Sequence, residues 1–277
     1  MLPALLRLLG SNPSTARAAL TSLVNLSQQN SVQSKLIELN APARCMDYLR
    51  DENCRDRADL LIMLLANLTA EEDGAAAFLQ LGKKDLEGYN LAVLLRLFLN
   101  EPTTQEEVDS FEHIATILPN LTRFQSARQL VLEHGRGTLR VLASQLRSRN
   151  ELRKKGCSGA IKNCFLSCEE DGTMDAILTE SDAISDILHV LAGLPQPESD
   201  DTVRINLSEA LLCLARIPQM RKELWAKNAP ELLKKAYECE ENPVVCEAME
   251  MTAELFLQDG FESNDTPDGN ELGINQI

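Results

Sequence analysis

Leu118-Pro119-Asn120-Leu121-Thr122 decides how this chain is read, because it recurs. Val24-Asn25-Leu26-Ser27 and Ala66-Asn67-Leu68-Thr69 come before it. Lys162-Asn163-Cys164-Phe165 follows as a weaker copy, and Leu212-Cys213-Leu214-Ala215 as a copy that has lost the Asn. Two residues before each equivalent position stand Leu23, Leu65, Leu118, Ile161 and Leu211. One residue after stand Leu26, Leu68, Leu121, Cys164 and Leu214. All are apolar, so the frame predicts a helix that buries one stripe and carries the Asn beside it.

A second marker keeps the same register. Fifteen residues on from Asn25, Asn67, Asn120 and Cys213 lie Asn40, Gly82, Gly135 and Asn228, each a helix-stopping residue. The fourth copy slips, towards Ser181-Asp182. The copies are spaced by 42, 53, 43 and 50 residues. A helical repeat of roughly 40–47 residues, with some longer units, is the armadillo/HEAT range. The expected fold is all-α: a right-handed superhelical solenoid of about five to six such repeats.

Helical punctuation fills in the rest. Residues 2–9 read as a short helix, and Gly10-Ser11-Asn12-Pro13 as a turn. Ser14 or Thr15 is placed to cap the long helix that ends near Ser27. Short helices are expected over 31–39 and 42–50, and the order short, short, long predicts that the chain starts at the second helix of a unit. Further long helices are expected from about Arg55 to Thr69, Val108 to Phe124 and Thr202 to Ile217. A Gly-punctuated stretch (Gly74, Gly82, Gly88) precedes an apolar helix at 90–99. Asn100-Glu101-Pro102-Thr103-Thr104 and Gly193 to Asp201 read as loops, and a last unit covers Ala229–Gln258. Residues 1–260 are thus expected to form one solenoid. From 261 to 277 the composition is acidic and aperiodic, which predicts a disordered tail.

The chain has 277 residues, a net charge of −15 and eight Cys. The acidity argues against a nucleic-acid backbone and against anionic membrane surfaces. The Cys form no CxxC pair and read as reduced, mostly buried residues of a cytosolic or nuclear protein. Cys157, Cys164 and Cys168 share a helical face, which reads as core because a metal site would need a fourth ligand and no His lies nearby. No apolar run approaches the ~20 residues needed to span a bilayer. No nucleophile elbow, P-loop or dinucleotide fingerprint occurs, and an enzyme is not expected. The sequons at Asn25, Asn67 and Asn120 are the repeat motif itself, at helical positions.

What remains is surface. Asn25, Asn67, Asn120 and Asn163 could line the inner face of the solenoid and bond a partner's backbone, or could bond one helix to the next. Gly156 and Gly159 share a face with Asn163 and invite close approach, either of a neighbouring helix or of a partner. Around them stands a basic cluster, Arg147, Arg149, Arg153, Lys154, Lys155 and Lys162. It reads as a partner site or as the solvated end of a helix.

The repeat motif resembles armadillo repeats generally. Residues 151–168, Glu-Leu-Arg-Lys-Lys-Gly-Cys-Ser-Gly-Ala-Ile-Lys-Asn-Cys-Phe-Leu-Ser-Cys, more specifically resemble the signature of the HGH-type family. Leu191-Ala192-Gly193, Val203-Arg204 with Glu209-Ala210-Leu211-Leu212, Val245-Cys246-Glu247 and the run Leu118 to Arg123 are similar too. The likeness departs at Lys162, Phe165 and Ser167–Asp171. It implies an armadillo-like adaptor chaperone that binds partly folded translation elongation factor 2. Such a protein would work as a monomer beside the cytosolic chaperonin and an Hsp90 co-chaperone, with no nucleotide or metal cofactor. It would use Arg123, Lys155, Gly156, Gly159 and Lys162 with the four Asn as its partner-binding residues. The alternative is a transport or scaffold adaptor that takes peptides in the groove. That reading wants Trp paired with the Asn, and the one Trp, Trp225, lies outside the row.

Overall fold

The computed structural model describes residues 1–99 and 108–258. The chain opens with α1 (Leu2–Leu8) and α2 (Pro13–Leu26). Then come α3 (Asn30–Glu38), α4 (Ala41–Arg50), a 3₁₀ turn at Glu52–Arg57, and α5 (Ala58–Ala70). The next unit is α6 (Glu72–Leu79), α7 (Tyr89–Phe98) and α8 (Ile114–Leu121). It is followed by α9 (Gln125–Val131), α10 (Thr138–Gln145) and α11 (Glu151–Leu166). Last come α12 (Met174–Thr179), α13 (Asp182–Leu191) and α14 (Asp201–Ala215), then α15 (Pro218–Ala226), α16 (Ala229–Tyr237) and α17 (Pro243–Gln258).

These helices stack as an armadillo-like α-solenoid. The third helices of successive units pack in one row, α2 on α5, α5 on α8, α8 on α11, α11 on α14 and α14 on α17. A second row is visible in α10, α13 and α16, and a third in the pairs α3–α6 and α12–α15. No strand occurs among the described residues. The apolar frame explains the stacking. All the residues flanking the Asn position are buried except Leu26, which is half-buried. Each such Leu contributes about 1.5–3 kcal/mol through burial. The second marker also has a physical meaning. Asn40, Gly82, Gly135 and Asn228 all have positive φ, the left-handed conformation that ends a helix and turns the chain into the next.

Several expectations shift. The cap of α2 is Asn12, whose Oδ1 accepts from the Thr15 N–H at 3.0 Å, with Pro13 as first helical residue. The third long helix starts at Ile114 instead of Val108. Residues just before it are held in turns, because Asp109 caps the Phe111 N–H and binds Arg153. Gly74 lies inside α6 and not in a turn; a Cβ there would overlap the Leu68 carbonyl. The last unit gains a first helix, α15, ahead of Ala229. The expected loop at 100–104 and the expected tail at 261–277 lie outside the described residues.

Candidate functional site

The long helices put the repeated Asn in a row, and one rule of hydrogen bonding runs along it. Asn67 Nδ2 donates to the Val24 carbonyl at 3.2 Å and to Ser27 Oγ at 2.9 Å. Asn120 Nδ2 donates to the Ala66 carbonyl at 3.4 Å and to Thr69 Oγ1 at 3.3 Å. Asn163 Nδ2 donates to the Pro119 carbonyl at 3.1 Å and to Thr122 Oγ1 at 3.0 Å. Each amide therefore reaches back to the preceding long helix. There it meets the Ser or Thr that ends the preceding copy of the motif.

That Ser or Thr is half of the device. Ser27, Thr69 and Thr122 are buried, and each donates its own hydroxyl to a carbonyl of its helix. The oxygen lone pairs stay available to the Asn of the next unit. The fourth and fifth copies show the same rule in reverse. Phe165 replaces the hydroxyl in the fourth, and Cys213 replaces the amide in the fifth. The two losses fall on one contact, so neither leaves a buried polar group stranded. Asn206, half a helix away, donates to Ser158 Oγ at 3.1 Å and supplies a bond between α14 and α11 instead. The pairing was legible in the sequence as a hydroxyl residue two places after each Asn whose successor keeps its own Asn.

The inter-helix role thus takes up the amide nitrogens. The oxygens are different: among the described residues, Oδ1 of Asn67, Asn120 and Asn163 accepts no side-chain or backbone hydrogen, and each side chain is only partly buried. Asn25 is exposed at the head of the row. Toward a ligand the row is a line of acceptors.

The other candidate residues divide by the neighbour they face. Gly156 is buried against α8, where a Cβ would overlap the Ala115 backbone. Gly159 faces the Pro119 ring, with a Cβ 3.3 Å from it. The close approach is therefore that of a neighbouring helix, and Gly156 offers no surface to a partner. Arg123 is exposed, but its guanidinium closes the end of α5, donating to the Thr69 and Ala70 carbonyls at 3.2 and 3.1 Å. Lys155 and Lys162 face the next unit. Lys155 Nζ lies 2.7 Å from Asp200, and Lys162 Nζ lies 2.8 Å from Glu209. The hydrogen bond that Lys155 donates to Asp200, then the charge of Asp200, raises the Lys155 pKa.

The basic cluster is therefore largely a set of inter-unit ties and not a free positive patch. Arg153, buried, binds Asp109 with two nitrogens, donates to the Phe98 carbonyl at 2.9 Å and to Gln145 at 3.1 Å, and sits 4.2 Å over the Phe98 ring. Lys154 binds Glu198 at 2.9 Å and Glu151 at 3.0 Å. Burial works to lower the Lys154 pKa, but the bonds to Glu198 and Glu151 outweigh it and leave it raised. Arg147 pairs with Asp186 at 2.7 Å. Acids brought in by the fold from 39 or more residues away cancel most of the local charge, and a reading of neighbours in sequence misses them. Cys157, Cys164 and Cys168 are all buried, and no group of three or more potential metal ligands occurs among the described residues.

The family described as Domain of unknown function (DUF383) matches residues 50–222. Two curated proteins, each called Protein HGH1 homolog, are similar in sequence. That of Dictyostelium discoideum is 25% identical over 200 residues, covering 71% of this chain and 55% of its own length. That of Xenopus tropicalis is 25% identical over 268 residues, covering 89% of this chain and 72% of its own. The chain thus spans little more than half the length of the first of these relatives, at 55%. Among solved structures, a designed armadillo repeat protein superposes with a TM-score of 0.74 at 19% identity, covering 92% of this chain and 99% of the other. A second, solved in complex with the peptide (KR)4, gives 0.72 at 18% identity, covering 92% and 99%. At such identities the likeness is one of fold.

Proposed function

Since the chain belongs to the family of the Domain of unknown function (DUF383), we propose that it is a non-enzymatic adaptor that binds another protein along its row of long helices. The client in this reading is partly folded translation elongation factor 2. The chain would hold it in the cytoplasm or nucleus for the cytosolic chaperonin and an Hsp90 co-chaperone, needing no cofactor. The likeness to proteins called Protein HGH1 homolog supports this, as does the block at 151–168. No helix among the described residues is long and apolar enough to cross a membrane.

One observation carries the reading: the outward amide oxygens of Asn67, Asn120 and Asn163 on successive long helices. With their nitrogens committed, they suit a client that offers N–H donors, as an unpaired backbone does. Lys155 and Lys162 stand on α11, the helix that carries Asn163, still partly exposed beside their acids, and would add contacts at the client's acidic groups.

A tagged full chain, mixed gently with eukaryotic lysate, should recover elongation factor 2. Absence of the factor while the chain remains folded by circular dichroism would remove this client. Tight binding of lysine-rich peptides on an array, without recovery of the factor, would favour the transport adaptor.

A further inference from the structure

The amide–hydroxyl tie between α11 and α14 has moved along the helices. By the rule of the row, Cys213 should carry an amide and Phe165 a hydroxyl, and neither does. Seven residues before each of them the device reappears, in Asn206 and Ser158. Asn206 Nδ2 donates to Ser158 Oγ at 3.1 Å. Ser158 is buried and donates its hydroxyl to the Lys155 carbonyl at 2.9 Å, as Ser27 and Thr69 do to carbonyls of their own helices. Seven residues are about two helical turns, so Asn206 lies on the same face of α14 as Cys213.

The line of acceptors therefore steps sideways. Among the described residues Oδ1 of Asn206 accepts no hydrogen, and the side chain is half-buried, as in Asn67, Asn120 and Asn163. From Asn163 the next amide oxygen lies one helix across and roughly 10 Å nearer the amino ends of the long helices. Straight ahead stands Cys213, whose thiol is a weak acceptor. Gly159 lies between the two oxygens. It shares a face with Asn163, and a Cβ there would stand 3.7 Å from Asn206 Nδ2. Unlike Gly156, it keeps part of its surface open. The ion pairs Lys155–Asp200 and Lys162–Glu209 border this bare stretch of α11 on either side. Glycine is the residue that lets a ligand's backbone come close.

We propose that an extended segment of a partner protein, held through its backbone N–H groups by Asn67, Asn120 and Asn163, turns over Gly159 and leaves past Asn206 instead of Cys213. This rests on the adaptor reading above and adds the course of the partner through the site. Helix axes roughly 8–10 Å apart make the diagonal step roughly 14 Å, which takes about four extended residues. A straight step takes about three. The residue over Gly159 presents backbone to α11, so the segment is one without secondary structure of its own. A helical segment does not fit, because its N–H groups are already bonded along its own axis.

The full chain is titrated with two probes: translation elongation factor 2 diluted from urea, and lysozyme reduced and blocked with iodoacetamide, an unfolded chain unrelated to it. Binding of the lysozyme alone removes the factor as client, and the course is then tested on the lysozyme. Binding of neither overturns both the course and the adaptor reading. Asn206→Leu is expected to weaken binding about fivefold or more, and Asn206→Asp, which keeps an acceptor oxygen, to stay within about twofold of the wild type. Both lose the amide that bonds Ser158, so a tie between helices and nothing more would weaken both alike. Gly159→Leu, which fills the bare stretch, is expected to weaken binding about tenfold or more. Cys213→Asn, which restores the straight line, is expected to leave affinity unchanged. Circular dichroism and urea midpoints check that each variant folds, and where Gly159→Leu does not, the two Asn206 variants decide. Wild-type affinity in Asn206→Leu, equal losses in the two Asn206 variants, or tighter binding in Cys213→Asn overturns the proposal, and with the factor bound each of these leaves the adaptor reading standing.

Discussion

The Cα of Gly156 on α11 rests against the carbonyl of Ala115 on α8, so closely that a methyl group there would overlap the oxygen. Pro119 stands four residues after Ala115 and has no N–H to offer that carbonyl. A missing backbone donor inside one helix and a missing side chain in the next unit thus form one contact.

Gly156→Ala should therefore destabilise the chain by about 1–3 kcal/mol, although Ala is the better helix former by about 1 kcal/mol. Gly159→Ala meets the Pro119 ring at 3.3 Å, a neighbour that can give slightly, and should lie near zero. Urea midpoints at constant m-value measure both. Equal effects of the two substitutions would contradict the packing described.

Acid should act on the junction of α14 with the turn before α17. Burial works to raise the Glu240 carboxyl, but the hydrogen bond from Arg204, with Asn242 N–H and the Arg204 charge, holds it below the usual glutamate range. A lowered folded-state pKa gives stability that is complete above the ordinary value and is lost as pH falls through the folded value. Glu240→Gln should cost roughly 3 kcal/mol at neutral pH and less below the ordinary glutamate range. Urea midpoints measured from neutral to acid pH should converge for the two proteins.

Thiol chemistry should follow burial. Burial pushes the Cys45 and Cys164 thiols up to about 12, and Cys168 up to about 11. In the native protein Ellman's reagent should modify exposed Cys239 first, and half-buried Cys213 and Cys246 more slowly. Cys45, Cys54, Cys157, Cys164 and Cys168 should react only on unfolding, bringing the total to eight. Fast reaction of all eight in the folded state would contradict the core described.

Lys162 can be separated from its structural duty by a charge swap. Lys162→Glu sets two carboxylates together at the Glu209 contact and should cost up to about 1 kcal/mol, since both groups are partly exposed. Adding Glu209→Lys should restore the urea midpoint. Recovery of elongation factor 2 should stay weak in the double variant if Lys162 touches the client. Full recovery would leave Lys162 as a tie between α11 and α14 alone.

Much of this architecture was legible in the residues. The apolar frame around Asn25, Asn67, Asn120 and Asn163 marked the stacking helices, and the positions fifteen further on marked left-handed turns, because both depend on local rules. The site was less legible. Whether Asn67 serves a neighbour or a ligand depends on Ser27, 40 residues away and meaningful only once the helices are side by side. Lys154 and Lys155 read as a positive patch until Glu198 and Asp200 arrive from the next unit. The start of α8 was misplaced for a similar reason, since Asp109 is held by Arg153, far along the chain.

The ties between units are unequal along the rod. Arg128–Asp171, Arg153–Asp109 and Lys154–Glu198 are sequestered, whereas Arg17–Asp59, near the amino end, leaves both side chains more than a third exposed. A stack of units with only nearest-neighbour contacts would melt piecemeal. Here the central units are riveted together and should come apart in one step, while the amino-terminal pair of helices peels away early and reversibly, as amide exchange would record.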